Sequence, residues 1–199
     1  MSLTLSTSSK QREVPPAGTF PARCYQIIDL GHQTTSFEGQ AKVVPQVRIS
    51  WELSETMADG RPFSISKDYT ASFGPKATLR KVLESWRGRA FTQEELSGFS
   101  LENVLGKPCM ISVVHKPSKD GTQTYANVGN VMALPKGLDC PPQYNPSVKF
   151  DINEFDHEVF ESLPEWLRTK ILLAKELEDR DITQQAPKVP ETQDDSVPF

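Results

Sequence analysis

A change in the spacing of apolar residues partway along the chain constrains the fold more than any other feature. Residues 43–53 alternate between apolar and polar side chains, which is typical of a strand that buries one face. The apolar face of that strand carries Val47, Ile49, Trp51 and Leu53. In residues 76–86 the spacing changes to three and four, which predicts a helix with one apolar face. That face carries Leu79, Val82, Leu83 and Trp86.

Strand patterns flank the predicted helix on both sides. They cover residues 19–30, 43–53 and 61–71 before it, and residues 107–116 and 122–134 after it. We expect a polar loop over residues 32–42. Thr92 with Glu95 forms a capping-box pattern, and Ser100 with Asn103 begins a second short helical turn. Three strands, a helical insert and two further strands follow the order of the OB fold, a five-stranded and partly open barrel. The sequence therefore predicts a mainly β chain with a helical insert, C-terminal helices and a five-stranded OB-fold barrel.

Composition and proline placement divide the chain into four parts. We expect a flexible N-terminal arm over residues 1–16, the barrel over 17–135, a proline-rich wrap and helical extension over 136–179, and a disordered acidic tail over 180–199. Within the extension, helical patterns over residues 158–162 and 165–178 lie on either side of Pro164. Trp166, Ile171 and Leu172, together with Leu163, are expected to pack against another part of the protein.

The net charge of −4 conceals an uneven distribution along the chain. Residues 1–150 contain 17 Lys and Arg against 13 Asp and Glu, whereas residues 151–199 contain 5 against 13. A basic body joined to an acidic end indicates two tasks, one of which involves a polyanion.

Several classes of protein fit the sequence poorly. No run of about 18 apolar residues could span a membrane, and the Ser/Thr-rich N-terminus does not have the form of a secretory signal. Three widely spaced cysteines and three separated histidines support neither a disulfide framework nor a metal site. Because the sequence contains no Gly-rich phosphate loop, GxSxG or HExxH motif, we expect no enzyme activity, no cofactor and a cytoplasmic location.

Binding of single strands without sequence preference requires cations along the phosphates and flat side chains that stack on bases. The predicted barrel offers both, since Arg48 lies on the polar face of the second strand and Lys67 interrupts the apolar positions of the third. The candidate contacts to single-stranded DNA are Arg48, Lys67, Tyr69, Phe73, Arg80, Arg87, Arg89, Lys116 and Tyr125. By contrast, Trp51, Phe63 and Trp86 lie on apolar faces and are expected in the core.

The densest basic cluster lies at the end of the predicted helix. Arg87 and Arg89 flank Gly88, so that two planar guanidinium groups on a turn form a suitable phosphate clamp. The alternative is the solvated face of an ordinary amphipathic helix, and the sequence leaves both interpretations open.

The chain ends in the six residues Asp194-Asp195-Ser196-Val197-Pro198-Phe199. A terminal phenylalanine offers its ring and α-carboxylate to an apolar pocket beside a basic residue, and the aspartates steer it towards basic rims. This tip resembles the C-terminal tip of bacterial single-stranded DNA-binding proteins. The resemblance implies that Asp194, Asp195, Pro198 and Phe199 bind replication or recombination proteins.

The body of the chain shows a second resemblance. Segments 65–70, 79–89, 105–109 and 125–127 are similar to segments of small phage replication-module proteins that are regarded as OB-fold single-stranded DNA-binding proteins. This similarity spans roughly residues 17–175, and it implies a phage origin and action in the cytoplasm of the host cell.

Two functional hypotheses follow from these observations. The first is sequence-independent binding and protection of single-stranded DNA in replication or recombination, with the acidic tail recruiting partner proteins. The second is a protein-interaction adaptor of the replication module that does not itself bind DNA.

Overall fold

The computed structural model describes residues 13–37, 39–118 and 120–178 as a mainly β structure with helices. Its five main strands are β1 (Gly18–Phe37), β2 (Gln40–Thr56), β3 (Pro62–Thr70), β4 (Pro108–Pro117) and β5 (Thr124–Met132), with a short β6 (Val148–Phe150). Its helices are α1 (Thr78–Arg87), α2 (Gln93–Gly98), α3 (His157–Ser162) and α4 (Glu165–Leu172), with 3₁₀ turns at Leu101–Val104 and Lys175–Leu177. None of the helices in these ranges is long and apolar enough to cross a membrane.

The main strands form one antiparallel sheet in the order β3-β2-β1-β4-β5. In the described residues no backbone ladder joins the two outer strands, β3 and β5. They are linked instead by a side chain, since Lys67 Nζ donates to the carbonyl oxygen of Val128 at 3.1 Å. The predicted five strands with a helix between the third and fourth are confirmed.

The polar segment 32–42 was predicted as a loop, and this prediction is wrong. Strands β1 and β2 continue through it as a hairpin, with cross-strand pairs from Gly31 and Gln46 out to Phe37 and Gln40. A two-stranded ribbon satisfies its backbone hydrogen bonds even where polar residues occupy both faces, so it needs no apolar alternation.

The first hydrophobic core lies between the sheet and α1. Trp51, Phe63 and Trp86 belong to it, as predicted, and the indole rings of Trp51 and Trp86 lie 5.9 Å apart between centroids. Trp86 Nε1 also donates to the carbonyl oxygen of Pro108 at 2.8 Å, which ties the end of α1 to the start of β4. Helix α1 ends at Gly88, whose left-handed φ of 71° permits the C-terminal turn.

A second core lies on the opposite side of β1. Ile28 and Leu30 point outward from the sheet and are fully buried by the extension that follows β5. The side chains that cover them include Phe150, Ile152, Phe160, Leu163, Leu167 and Ile171. Gly31 permits this close packing, because a Cβ there would lie 2.7 Å from Ala174 Cβ and its φ is +65°.

The proline-rich segment 135–150 lies along the sheet and ends in an unpredicted strand. Strand β6 pairs in parallel with residues 26–28 of β1. Arg23 holds the wrap through the carbonyl oxygen of Pro141, to which Nη2 donates at 3.0 Å and Nε at 3.2 Å. Its Nη1 donates to Gly106 O, just before β4, at 2.8 Å. Segment 165–178, predicted as one helix, divides into α4 and a 3₁₀ turn.

Buried Glu52 fixes the middle of the wrap. Its carboxylate accepts hydrogen bonds from the backbone N–H groups of Tyr144 at 2.8 Å and Asn145 at 2.9 Å, and from Asn145 Nδ2 at 2.7 Å. At the other end of the described chain Pro15 is buried, with its carbonyl oxygen 2.8 Å from His115 Nε2. Within the described part of the predicted arm, Pro15 is thus packed, whereas Glu13, Val14 and Pro16 are exposed. The rest of that arm, 1–12, lies outside the described residues.

We expect Glu52→Ala to lower the free energy of unfolding by about 1.5–3 kcal/mol, because it removes a charged acceptor from three donors of the wrap. Chemical denaturation of the full chain measures this change. Glu55→Ala is the matched control, since Glu55 is exposed on the same strand and makes no hydrogen bond or ion pair within the described residues. Equal stabilities for the two variants would contradict the anchoring role.

Candidate nucleic-acid interface

The outer face of β3 forms a floor of small polar side chains. Ser64 is exposed, and Ser66 Oγ donates to Ser50 Oγ at 2.9 Å on the neighbouring strand. Ser50 Oγ in turn donates to Gln26 Oε1 at 3.0 Å, so that one polar row crosses β1, β2 and β3. Short hydroxyl side chains leave room above the sheet for a ligand.

A charged cluster lies at the end of this floor. Across the sheet, Arg48 Nη1 donates to Asp68 Oδ1 at 2.6 Å, and Lys170 Nζ of α4 donates to Asp68 Oδ2 at 2.7 Å. The Arg48 guanidinium lies 4.7 Å from the centroid of the Trp166 ring, which remains 54% exposed. Trp166 and Leu172 were expected to be packed, but both are largely exposed, Leu172 at 45%. Arg48 was predicted as a DNA contact, and its charge is already compensated by Asp68.

An open cleft of about 800 Å³ begins at the same aspartate and follows the turn from β3 to α1. Lys67 and Lys76 supply its cations, and Asp68 is its one carboxylate. The hydroxyl groups of Thr70, Ser72 and Thr78 also line it. Helix α1 begins at this cleft without a side-chain cap and without an acidic residue in its first turn. Its first N–H groups therefore lack a competing anion.

Lys76 and Lys67 differ in how they are held. Lys76 is exposed and has no ion pair within the described residues. Lys67, a predicted contact, uses one N–H on Val128 and lies 5.5 Å from the Tyr69 ring, but still lines the cleft.

The two aromatic residues predicted at this end of β3 are placed differently from expectation. Tyr69 is only 4% exposed and packs in the first core, so its ring has no free face for a base. Burial also raises the pKa of its phenol. Phe73 is half-buried in a cluster with Phe91 and Phe99, at centroid distances of 5.3 Å and 5.7 Å. The structure therefore places Tyr69 in the core and Phe73 at its edge, so neither ring stands free beside the cleft, and stacking by Phe73 stays a prediction.

The other three predicted arginine contacts, on and just after α1, are also occupied by carboxylates. Arg80 Nε donates to Glu84 Oε1 at 2.9 Å, one turn along α1. Arg89 Nη2 donates to Glu95 Oε1 at 2.7 Å, and Arg87 donates to the same oxygen. The guanidinium groups of Arg87 and Arg89 do converge on one anion, as the clamp hypothesis required. That anion is Glu95, so the clamp is closed by the protein itself.

Lys116 and Tyr125 remain available on the β4–β5 hairpin. They are cross-strand partners, and the tyrosine ring is 53% exposed. Lys116 is exposed and has no ion pair in the described part of the chain. Lys119 and the predicted partner-binding residues Asp194, Asp195, Pro198 and Phe199 lie outside the described residues.

Sequence reasoning missed two exposed aromatic rings beside the floor. Trp166 and Tyr144, which is 62% exposed, both come from the extension. Tyr144 lies where Glu52 pairs with Ser64, and Trp166 lies where Arg48 pairs with Asp68. The only sequence signal was an aromatic residue among polar neighbours, which does not show where the extension packs.

Within residues 13–37, 39–118 and 120–178, no group of three or more His, Cys, Asp or Glu side chains could hold a metal ion. Comparison with known proteins finds no family model that matches the chain and no curated relative. The function of the chain must therefore be inferred from the geometry of this interface.

We expect Glu95→Gln to destabilise the protein at neutral pH and to lose this effect in acid. Hydrogen bonds from Arg87, the Thr92 N–H and Arg89 lower the pKa of Glu95 from 4.5 to about 2. A folded-state pKa below the unfolded one adds stability above pH 4.5, and this stability disappears as the pH falls towards 2. Glutamine preserves the capping box with Thr92, so the substitution isolates the charge.

Denaturant unfolding at pH 7 and pH 3 measures this difference. Glu94→Gln is the control, because its exposed side chain on the same turn makes no ion pair within the described ranges. A Glu95→Gln deficit that stays constant across this pH range would refute the carboxylate clamp.

Proposed function

We propose that this protein binds single-stranded DNA without sequence preference and protects it during replication or recombination. The cleft between β3 and α1 carries the proposal, because it combines the chemical groups that contact phosphates in nucleic-acid-binding proteins. Those groups are lysine side chains, Ser and Thr hydroxyls and the N-terminus of a helix. Its two lysines and one aspartate give the lining a net charge of +1.

The shape of the site favours a polymer over a small molecule. The cleft is open and continues through Asp68 and Thr70 onto the outer face of β3. Small-molecule sites are instead mostly enclosed and apolar. An extended polar track with a cationic end and exposed rings beside it suits a strand whose phosphates and bases are bound separately.

The strand order supports an OB-type barrel. Order β3-β2-β1-β4-β5, with a helix between β3 and β4, brings the outer strands β3 and β5 together at the seam that Lys67 bridges. OB folds bind oligonucleotides on the face of strands 2 and 3 and on the loops beside it. In this proposal, the polar floor of β3 and the cleft correspond to that surface.

We expect Lys76→Gln to weaken binding to a fluorescently labelled oligo-dT and to reduce its salt dependence. Loss of one phosphate contact should lower the slope of log K against log salt by about 0.7. Lys149→Gln is the control, because it removes the same charge from a lysine already paired with Glu102 at 2.8 Å. Titration by fluorescence anisotropy at several salt concentrations gives both slopes.

The result separates the two functional hypotheses. If the intact protein does not bind oligo-dT even in dilute buffer, DNA binding is wrong and the adaptor hypothesis replaces it. If Lys76→Gln and Lys149→Gln behave alike, the strand is bound elsewhere than in the cleft.

The acidic end of the chain has a separate proposed role. Its tip, which ends in Pro198-Phe199, recruits replication or recombination proteins through the terminal ring and carboxylate. The Asp and Glu carboxylates of residues 180–199 also compete with DNA for the lysines of the cleft.

Deletion of residues 180–199 should therefore tighten oligo-dT binding, by up to about fivefold at low salt, which corresponds to about 1 kcal/mol of exposed charge interaction. The gain should vanish at high salt because screening removes the competition. The same anisotropy titration measures it. An unchanged affinity at low salt would reject the competition and leave DNA binding by the body intact.

A further inference from the structure

We infer that Trp166 is a base-stacking residue, and that the C-terminal extension thereby forms one wall of the strand-binding site. The inference rests on the proposed function and adds to it a residue outside the barrel. It depends on how the ring is held, where it lies and how much of it is exposed.

Arg48 holds one face of the Trp166 ring, and Lys170 ties the helix that carries this ring to the same charged cluster. The guanidinium group of Arg48 lies 4.7 Å from the ring centroid, a distance at which a cation stabilises an indole face. Lys170, one helical turn further along α4, donates to Asp68 at 2.7 Å, and Asp68 also holds Arg48. The strand face and the helix are thus joined through one carboxylate.

The remainder of α4 is anchored by apolar contacts. Leu167 and Ile171 are at most 1% exposed and pack in the second core against the outer side of β1. These two residues bury the helix without Trp166. Trp166 therefore stays 54% exposed while Leu167 and Ile171 are enclosed. A large ring that is immobilised but half uncovered is already ordered before a base stacks on it, which lowers the entropic cost of binding.

The position of the ring agrees with the proposed path of the strand. Asp68, which holds Arg48 and Lys170, also lines the cleft that contains Lys67 and Lys76. The proposed stacking platform and the phosphate cleft are thus joined through Asp68. The charges of Arg48, Lys170 and Asp68 sum to +1, so the surface under the base does not repel the backbone. Every base has a flat face, and such a platform therefore accepts any sequence.

The distribution of tryptophans allows a direct optical test. Trp51 and Trp86 are 0% and 6% exposed, so Trp166 is the indole that a strand can reach in the described chain. Saturation with unlabelled oligo-dT should quench the tryptophan emission of the intact protein. The quenching should be lost in Trp166→Phe, whose remaining indoles are both buried.

Affinity provides the second measurement. Trp166→Ala should weaken binding to labelled oligo-dT about 5- to 150-fold, the range of one base stack, whereas Trp166→Phe should retain much of the affinity. Leu172→Ala is the matched control, because Leu172 is a 45% exposed apolar residue on another side of the same helix. Thermal unfolding of each variant shows whether α4 still docks.

The outcomes separate this inference from the proposed function. If the intact protein binds oligo-dT but its emission is unchanged and Trp166→Ala binds equally well, Trp166 does not stack and the inference is overturned. If Trp166→Ala loses stability, its affinity is set aside. The test then rests on whether oligo-dT quenches the intact protein and on the affinity of Trp166→Phe. If the intact protein does not bind oligo-dT, the proposed function itself fails, and a protein partner becomes the better explanation of the exposed ring.

Discussion

The structure depends on the burial of β1 from both sides. Ile27 points into the first core, whereas Ile28 and Leu30 point to the opposite face of the sheet. A strand that is apolar on both faces must be covered twice. The side chains of the first core, including those of α1, cover one side, and the extension covers the other. The position of α4, and with it Trp166 above Arg48, follows from the need to cover that second face.

Much of the fold could be predicted because local periodicity and tertiary packing agree in the main strands and in α1. The hairpin through residues 32–42 and strand β6 could not, because their pairing depends on backbone partners rather than on apolar alternation. One available signal was overlooked. Two adjacent apolar residues, Ile27 and Ile28, break the alternation of a one-sided strand and indicate a second packing layer.

The candidate site was harder to predict than the fold. Tyr69 shares the parity of Ile65 on β3, so alternation alone already favoured its burial. Alternation does not predict which carboxylates pair with the arginines. Asp68 pairs with Arg48 from the next strand, and Glu95 pairs with Arg87 from the next helix. Exposed lysines such as Lys76 are left as the free cations of the described interface. Affinity for a polyanion is therefore expected to depend on few charges and substantially on ring contacts.

The pairing of β6 with β1 and the covering of Ile28 by Ile171 have a consequence for synthesis on the ribosome. Residues 26–28 of β1 are synthesised more than 120 residues before residues 148–150 of β6, with which they pair. During elongation the outer side of β1 therefore stays exposed to water and to other apolar surfaces, as in other folds whose contacts join distant parts of the sequence. Maturation of the nascent polypeptide is thus completed only after the extension has left the exit tunnel, and a stalled or truncated translation product would be the aggregation-prone form.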